Sequence, residues 1–221
     1  FAELGPYYDL QALASLFPEP VHIIVSAGSD MTGLQDLVGK RVDIGVRGSG
    51  GRLTAITLLA AAGIELSDLG ALHETGLGNG LALLKKGEVD AVISTIGAPA
   101  LALQQAAARG RIRLLPISTD QRDAMTRESN AYVPIVLPPS TYPGQTEPVP
   151  TVAVTALLTA GDGLPGADVE RILTALFDRI DFVGAGSAAG SLIARQTAEV
   201  GLTIPMHPAA VAFFGDTAAS Q

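Results

Sequence analysis

The chain has 221 residues, enough for one large domain or two lobes, and its 48% hydrophobic and 16% charged residues are those of a globular chain rather than a disordered one. A net charge of −8 with no Lys/Arg-rich tract argues against nucleic acid or an anionic membrane surface as partner. The absence of cysteine excludes disulfides, thiolate-bound zinc and a thiol nucleophile, and no apolar run reaches the ~18–20 residues of a membrane span, so no direct membrane insertion by this chain is expected.

The opening "FAELGPYYDL" has no Met and no charged stretch ahead of an apolar one, and reads as an excised or processed piece. "VHIIVS" (21–26) predicts a buried strand, "MTGLQDLVGK" a short helix closed by Gly39, and "RVDIGV" a second strand. Ser49 or Gly50 is placed to cap a helix running to Ala62, with Gly63 just past its end. "ALHET" predicts a third strand, 77–86 a helix stopped by Gly87, "VDAVIST" a strand, and "APALALQQAAARG" a helix ended by Gly110. "IRLLPIS" follows as a strand, then a helix capped by Thr119 or Asp120, then extended "YVPIVL". Short strands alternating with helices predict a mainly parallel α/β sheet, most regular over 45–118. Residues 137–150 hold five prolines and one glycine and read as a crossover or hinge. Beyond them come a strand, an amphipathic helix over 164–183 with Pro165 in its first turn, and short helices near 189–199 and 208–214. These last helices lack strands of their own to cover.

Two turns carry the chemistry. In "GVRGSGGRLTA" (45–55) a strand enters a glycine-rich turn and then a helix, which exposes backbone N–H groups and the positive end of the helix dipole. Arg47 and Arg52 bracket the glycines, and Ser49 adds a hydroxyl. The pattern offers a seat for a carboxylate or phosphate, or else a tight connection whose glycines serve only backbone geometry. It is not a P-loop, because no Lys-Ser/Thr follows the glycines, and it lacks the dinucleotide spacing. "STIGAP" (94–99) is a second strand-to-helix turn from the same sheet edge, with Thr95, Gly97 and Ala98 as candidates; an ordinary turn is the plainer alternative. His22, His73 and His207 share no metal-ligand spacing and are read as structural, and no G-x-S-x-G elbow is present. Asp30, Asp36, Asp43 and Asp90 sit at element ends, where caps and solvated faces explain them. Tyr7, Tyr8 and Tyr142 lie in loops and are candidates to line a cleft. No cofactor, metal or catalytic residue is implied.

"DLVGKRVDIGVRGSGGRLTAITLLAAAGI" resembles the signature of the TAXI solute-binding proteins, extracytoplasmic receptors of one class of TRAP transporter, in which a "DLxGKxVxxGxxGSGT" run precedes the helix. The likeness continues through "ALLKKGEVDAVISTIGAPA", "VLPPSTYPGQTEPVPTVAVTALL" and "IPMHPAAVAFF". The resemblance implies an α/β, two-lobed clamshell of the type II periplasmic binding protein kind, lacking the N-terminal part of lobe 1. Residues 1–26 would end lobe 1 and form the first hinge strand, 27–136 would be lobe 2, 137–150 the Pro-rich crossover, and 151–221 the return to lobe 1. Family members carry a further half-lobe before the equivalent of Phe1. Two positions depart from the pattern: Gly51 stands where threonine is usual, and Ala209 replaces a glycine.

The implied role is capture of a small organic anion, glutamate-like or a dicarboxylate, and its delivery to the membrane subunits of a TRAP transporter from a periplasmic location. The carboxylate would sit on the backbone N–H groups of Gly48, Ser49, Gly50 and Gly51 and on the Ser49 hydroxyl, with charge from Arg47 or Arg52. Gly97 and its neighbours would close the same side, and Tyr142 would cover the ligand. A ligand-sensing domain of a signalling protein, or an enzyme on the same fold, are the alternatives.

Overall fold

A computed structural model describes residues 9–186 and 188–218. Its chain divides into two compact units, 19–154 and the pair of segments 1–18 and 155–221. Both boundaries fall inside long strands: β1 (Leu10–Ser26) and β7 (Val149–Gly161). Tyr7 and Tyr8 lie outside the described residues.

In the unit 19–154, β2 (Arg41–Asp43), β3 (Ala71–His73), β4 (Ala91–Thr95), β5 (Ile112–Leu115) and β6 (Val133–Leu137) join β1 and β7. Strand order is β3-β2-β4-β1-β7-β6, with β5 also on β1. β2 pairs in parallel with β3 and β4, whereas β1 runs antiparallel to β4 and β5, and β6 antiparallel to β7. The mainly parallel sheet expected is therefore a mixed one, because β1 runs against β4 and β5, and β7 against β6. Only the stretch with β–α–β crossovers follows the parallel rule.

Side-chain alternation puts an apolar set on each face. Ile23, Val25, Ala91 and Ile93 pack with Ala55, Leu58 and Leu59 of α1 (Gly50–Ala61) and with Met125 of α4 (Thr119–Glu128). Ile24 and Val92 face the other way, onto Leu84 of α2 (Leu77–Lys86) and Leu103 and Ala107 of α3 (Leu101–Ala108). With both faces covered, these strands read as unbroken apolar runs.

Ser49 caps α1, its Oγ accepting from the Arg52 N–H at 3.1 Å, and Gly87 ends α2 at φ +71°. The cap of α4 is Ser118, one residue before the expected position. Its Oγ accepts from Gln121 N–H at 3.3 Å while Gln121 Oε1 accepts from Ser118 N–H at 3.0 Å, a capping box. The helix expected over 31–40 is a single 3-10 turn, Leu34–Leu37, because the Asp36 carboxylate gathers the N–H groups of Thr32 and Gly33 and Gly39 turns the chain at φ +74°.

In the other unit, α5 (Gly166–Phe177), α6 (Ile180–Gly186) and α7 (Pro208–Ala218) pack around Leu13, Leu173, Phe177 and Phe214. The helix expected over 164–183 breaks at Asp178, and 189–199 forms two 3-10 turns, Gly190–Leu192 and Arg195–Thr197. Arg195 lies 5.0 Å over the Phe177 ring and 4.5 Å over that of Phe213, so its cation is held by the aromatic cluster. His207 ties α7 down: Nε2 donates to Leu164 O at 3.1 Å and Nδ1 accepts from Ala209 N–H at 3.1 Å.

Candidate functional site

The parallel strands β3, β2 and β4 end at one edge of the sheet, and three loops leave it side by side. The β2–α1 loop is the glycine turn. Gly45 (φ +92°) and Gly48 (φ +82°) take the left-handed conformation that reverses the chain into α1. Ser49 N–H bonds Val46 O at 3.0 Å and the Ser49 hydroxyl oxygen serves the cap, which leaves the N–H groups of Gly50 and Gly51 without a partner among the described residues. The β4–α3 loop holds Thr95, Gly97 and Ala98. It meets the glycine turn directly: a Cβ placed on Gly51 would lie 3.9 Å from Thr95 Cβ. Thr95 Oγ1 is buried and has no hydrogen-bond partner among the described residues, although a buried hydroxyl left unpaired costs ~1–3 kcal/mol.

The third loop, β3–α2, carries a residue that sequence reasoning passed over. Glu74 receives both arginines: Arg47 Nη2 donates to its Oε2 at 2.7 Å, and Arg52 Nε to its Oε1 at 2.5 Å. These two arginine hydrogen bonds hold the Glu74 carboxyl below its ordinary value of 4.5. The arginines thus do not face an anion as two uncompensated charges. With Glu74 they form a bridged triad, with Arg47 exposed and Arg52 more sheltered.

Asp43, expected at a solvated element end, is fully buried. Its Oδ1 accepts from Gly45 N–H and from Thr75 N–H, each at 3.0 Å, and its Oδ2 accepts from the Thr75 hydroxyl. One carboxylate therefore fastens the glycine turn to the loop bearing Glu74. The signal for both acids was present in "RVDIG" and "ALHET", carboxylates closing adjacent parallel strands, but it could be used only once β3 was known to lie beside β2.

Tyr142, expected over the ligand, is buried at 3% exposure with its hydroxyl already engaged. It donates to His22 Nε2 at 2.8 Å and accepts from Ala100 N–H at 3.2 Å; His22 Nδ1 donates to Pro20 O at 2.9 Å. That carbonyl also accepts from Ile96 N–H at 3.2 Å. Tyr142 and His22 thus brace both ends of the β4–α3 loop from behind. Burial drives the His22 pKa down to about 4 against the opposing effect of its backbone hydrogen bonds, so the ring is neutral at pH 7.

Among the described residues no group of His, Asp and Glu could hold a metal ion, and no helix is long and apolar enough to cross a membrane. Two cavities of the same unit, of about 510 and 290 Å³, lie away from the three loops.

A mixed sheet with parallel β–α–β crossovers, covered on both faces and entered twice by long strands, is the fold of periplasmic binding proteins. The arginine-, lysine-, histidine-binding protein of the thermophilic bacterium Geobacillus stearothermophilus matches it with TM-score 0.50 and 14% identity, over 84% of this chain and 64% of its own. A periplasmic sulfonate-binding protein of Methylobacillus flagellatus KT matches with TM-score 0.47 and 17% identity, over 80% and 45%. The aliphatic sulphonate binding protein of Escherichia coli matches with TM-score 0.43 and 19% identity, over 96% and 55%. The chain spans 45–64% of the length of these solved structures. The chain belongs to the NMT1-like family, whose model matches residues 1–216.

Proposed function

We propose that the chain is part of an extracytoplasmic solute-binding receptor of the type II kind, and that the ledge formed by 48–52 and 95–98 seats a small organic anion, glutamate-like or a dicarboxylate. The observation that carries this reading is the junction of the two turns. Two unpaired N–H groups at Gly50 and Gly51 stand at the start of α1, beside the orphaned Thr95 hydroxyl. Arg47 and Arg52, bridged by Glu74, stand beside it. A carboxylate oxygen would take the N–H pair and its partner oxygen the hydroxyl, satisfying groups that otherwise lack partners. Ligand positions at the C-terminal ends of parallel strands are the rule in open α/β sheets. Nothing in the ledge pairs a nucleophile with a base, so the role is capture rather than turnover. Delivery to TRAP-type membrane subunits, as in the TAXI proteins that the sequence resembles, is the partner assignment that goes with this reading.

The test is calorimetric titration with glutamate, glutamine, C4 and C5 dicarboxylates and short 2-oxo acids, on the wild type and on Thr95→Val. One carboxylate should bind the wild type, and the variant should bind it about tenfold more weakly, one charge-assisted hydrogen bond being lost. Equal binding by both proteins, or binding of none of the panel, would remove the ledge as the carboxylate site.

A further inference from the structure

On the face of the sheet that carries α2 and α3, a groove of about 290 Å³ opens between the two helices. Both helices start at the edge where the parallel strands end, so they run in the same sense and their C-termini lie together. The groove has an apolar floor of Leu81, Leu84, Ala106 and Ile112. Its cations gather at the other end: Lys85 in the last turn of α2, Arg109 at the C-cap of α3, and Arg111 two residues on. None of the three has a carboxylate partner among the described residues, and no acidic side chain lines the groove. Helix dipoles account for cations near two C-termini. They do not account for Arg111, nor for three uncompensated positive charges beside an apolar floor on a chain of net charge −8.

We propose that this groove docks an acidic, apolar-faced segment of a partner protein, its apolar side chains on Leu81 and Ala106 and its carboxylates against Lys85, Arg109 and Arg111. The charge pattern selects the occupant. Lipid headgroups are recognised by clusters of about 4–8 basic residues, more than the groove offers. Nucleic acid would meet a strongly acidic molecule around a single small basic spot. A short amphipathic helix or strand matches both the polarity and the roughly two-turn length of the walls. Its twelve lining residues are fewer than the ~20–30 a side of a standard interface, so the contact is a weak, exchangeable one. It does not depend on what the ledge at 48–52 binds.

The experiment uses the whole chain and a fluorescein-labelled synthetic peptide with leucines along one face and glutamates toward one end. Anisotropy is followed at about 10 mM and about 150 mM salt, where the screening length is about 30 and 8 Å. The wild type should bind the peptide, at least tenfold more weakly at the higher salt. The K85E/R109E/R111E variant, all of whose changes are at exposed positions, should lose that binding. It should gain binding of the same peptide carrying lysines in place of glutamates. Equal affinity of wild type and variant would overturn the assignment, as would equally tight binding of a glutamate peptide without leucines. Cosedimentation with phosphatidylcholine–phosphatidylserine vesicles but no peptide binding would overturn it in favour of a lipid surface.

Discussion

Thr95 is the residue at which stability and binding should part company. Its buried hydroxyl has no partner among the described residues, and the isosteric valine removes the polar atom without opening a cavity. Thr95→Val is therefore expected to stabilise the unliganded protein by about 1 kcal/mol in chemical denaturation while weakening anion binding. A variant that is both less stable and unchanged in affinity would mean that the hydroxyl serves the fold. Glu74 gives a prediction of opposite kind. Glu74→Gln removes the negative charge that bridges Arg47 and Arg52, so a carboxylate should bind roughly threefold to tenfold more tightly at low salt, the gain fading as salt rises. Weaker binding in that variant would show that the arginines need Glu74 to hold them in place more than they need release from its charge.

At the scale of elements, much was legible because the signals were local. Leu77 to Lys86 is bounded by Gly76 and Gly87, and the structure gives the helix those ends; Ser49 caps α1 as its position before the apolar run indicates. The failures came where a contact distant in sequence decides. The first half of β1, 10–20, was missed as a strand because Pro18 and Pro20 punctuate it, yet the strand runs through both. The antiparallel sense of β1 and β7 is a property of pairing that no strand carries in its own residues. The same limit applies to the site. The glycine turn and "STIGAP" were visible singly, while the Glu74 bridge spans 27 and 22 residues and the Tyr142–His22 bond spans 120. Asp43 is the element-level test of that assembly. Asp43→Ala would strand the N–H groups of Gly45 and Thr75, at a cost of about 2–4 kcal/mol by urea denaturation. It should also abolish anion binding by releasing the glycine turn from the β3–α2 loop. A variant with full affinity would show that the turn holds its shape unaided.

For the molecule as a whole, acid should weaken the fold in two stages, and the sign of each follows from its group. His22 has a folded pKa lowered by burial from 6.5 to about 4, so below pH 6.5 the unfolded chain takes up a proton that the native state refuses. Its contribution is fully present above pH 6.5 and is lost as pH falls toward 4, a change of about 3 kcal/mol over the window. Glu74 and Asp90 have carboxyl pKa values lowered by their arginine hydrogen bonds. Their contribution is present above the ordinary values of 4.5 and 3.8 and disappears only below them, in a second stage. Glu19 opposes this, since burial raises its pKa and acid relieves the cost of its charge. Urea denaturation between pH 7 and about pH 3 separates the stages. The wild type should lose stability from about pH 6.5 downward. His22→Gln, which keeps a polar group in the space beside Tyr142 but cannot titrate, should start less stable and stay nearly level to pH 4.5 before the carboxylates give way. If the wild type is level over the same range, the imidazole is being protonated in the folded state without penalty, and the bracing of the β4–α3 loop by a neutral His22 would have to be abandoned.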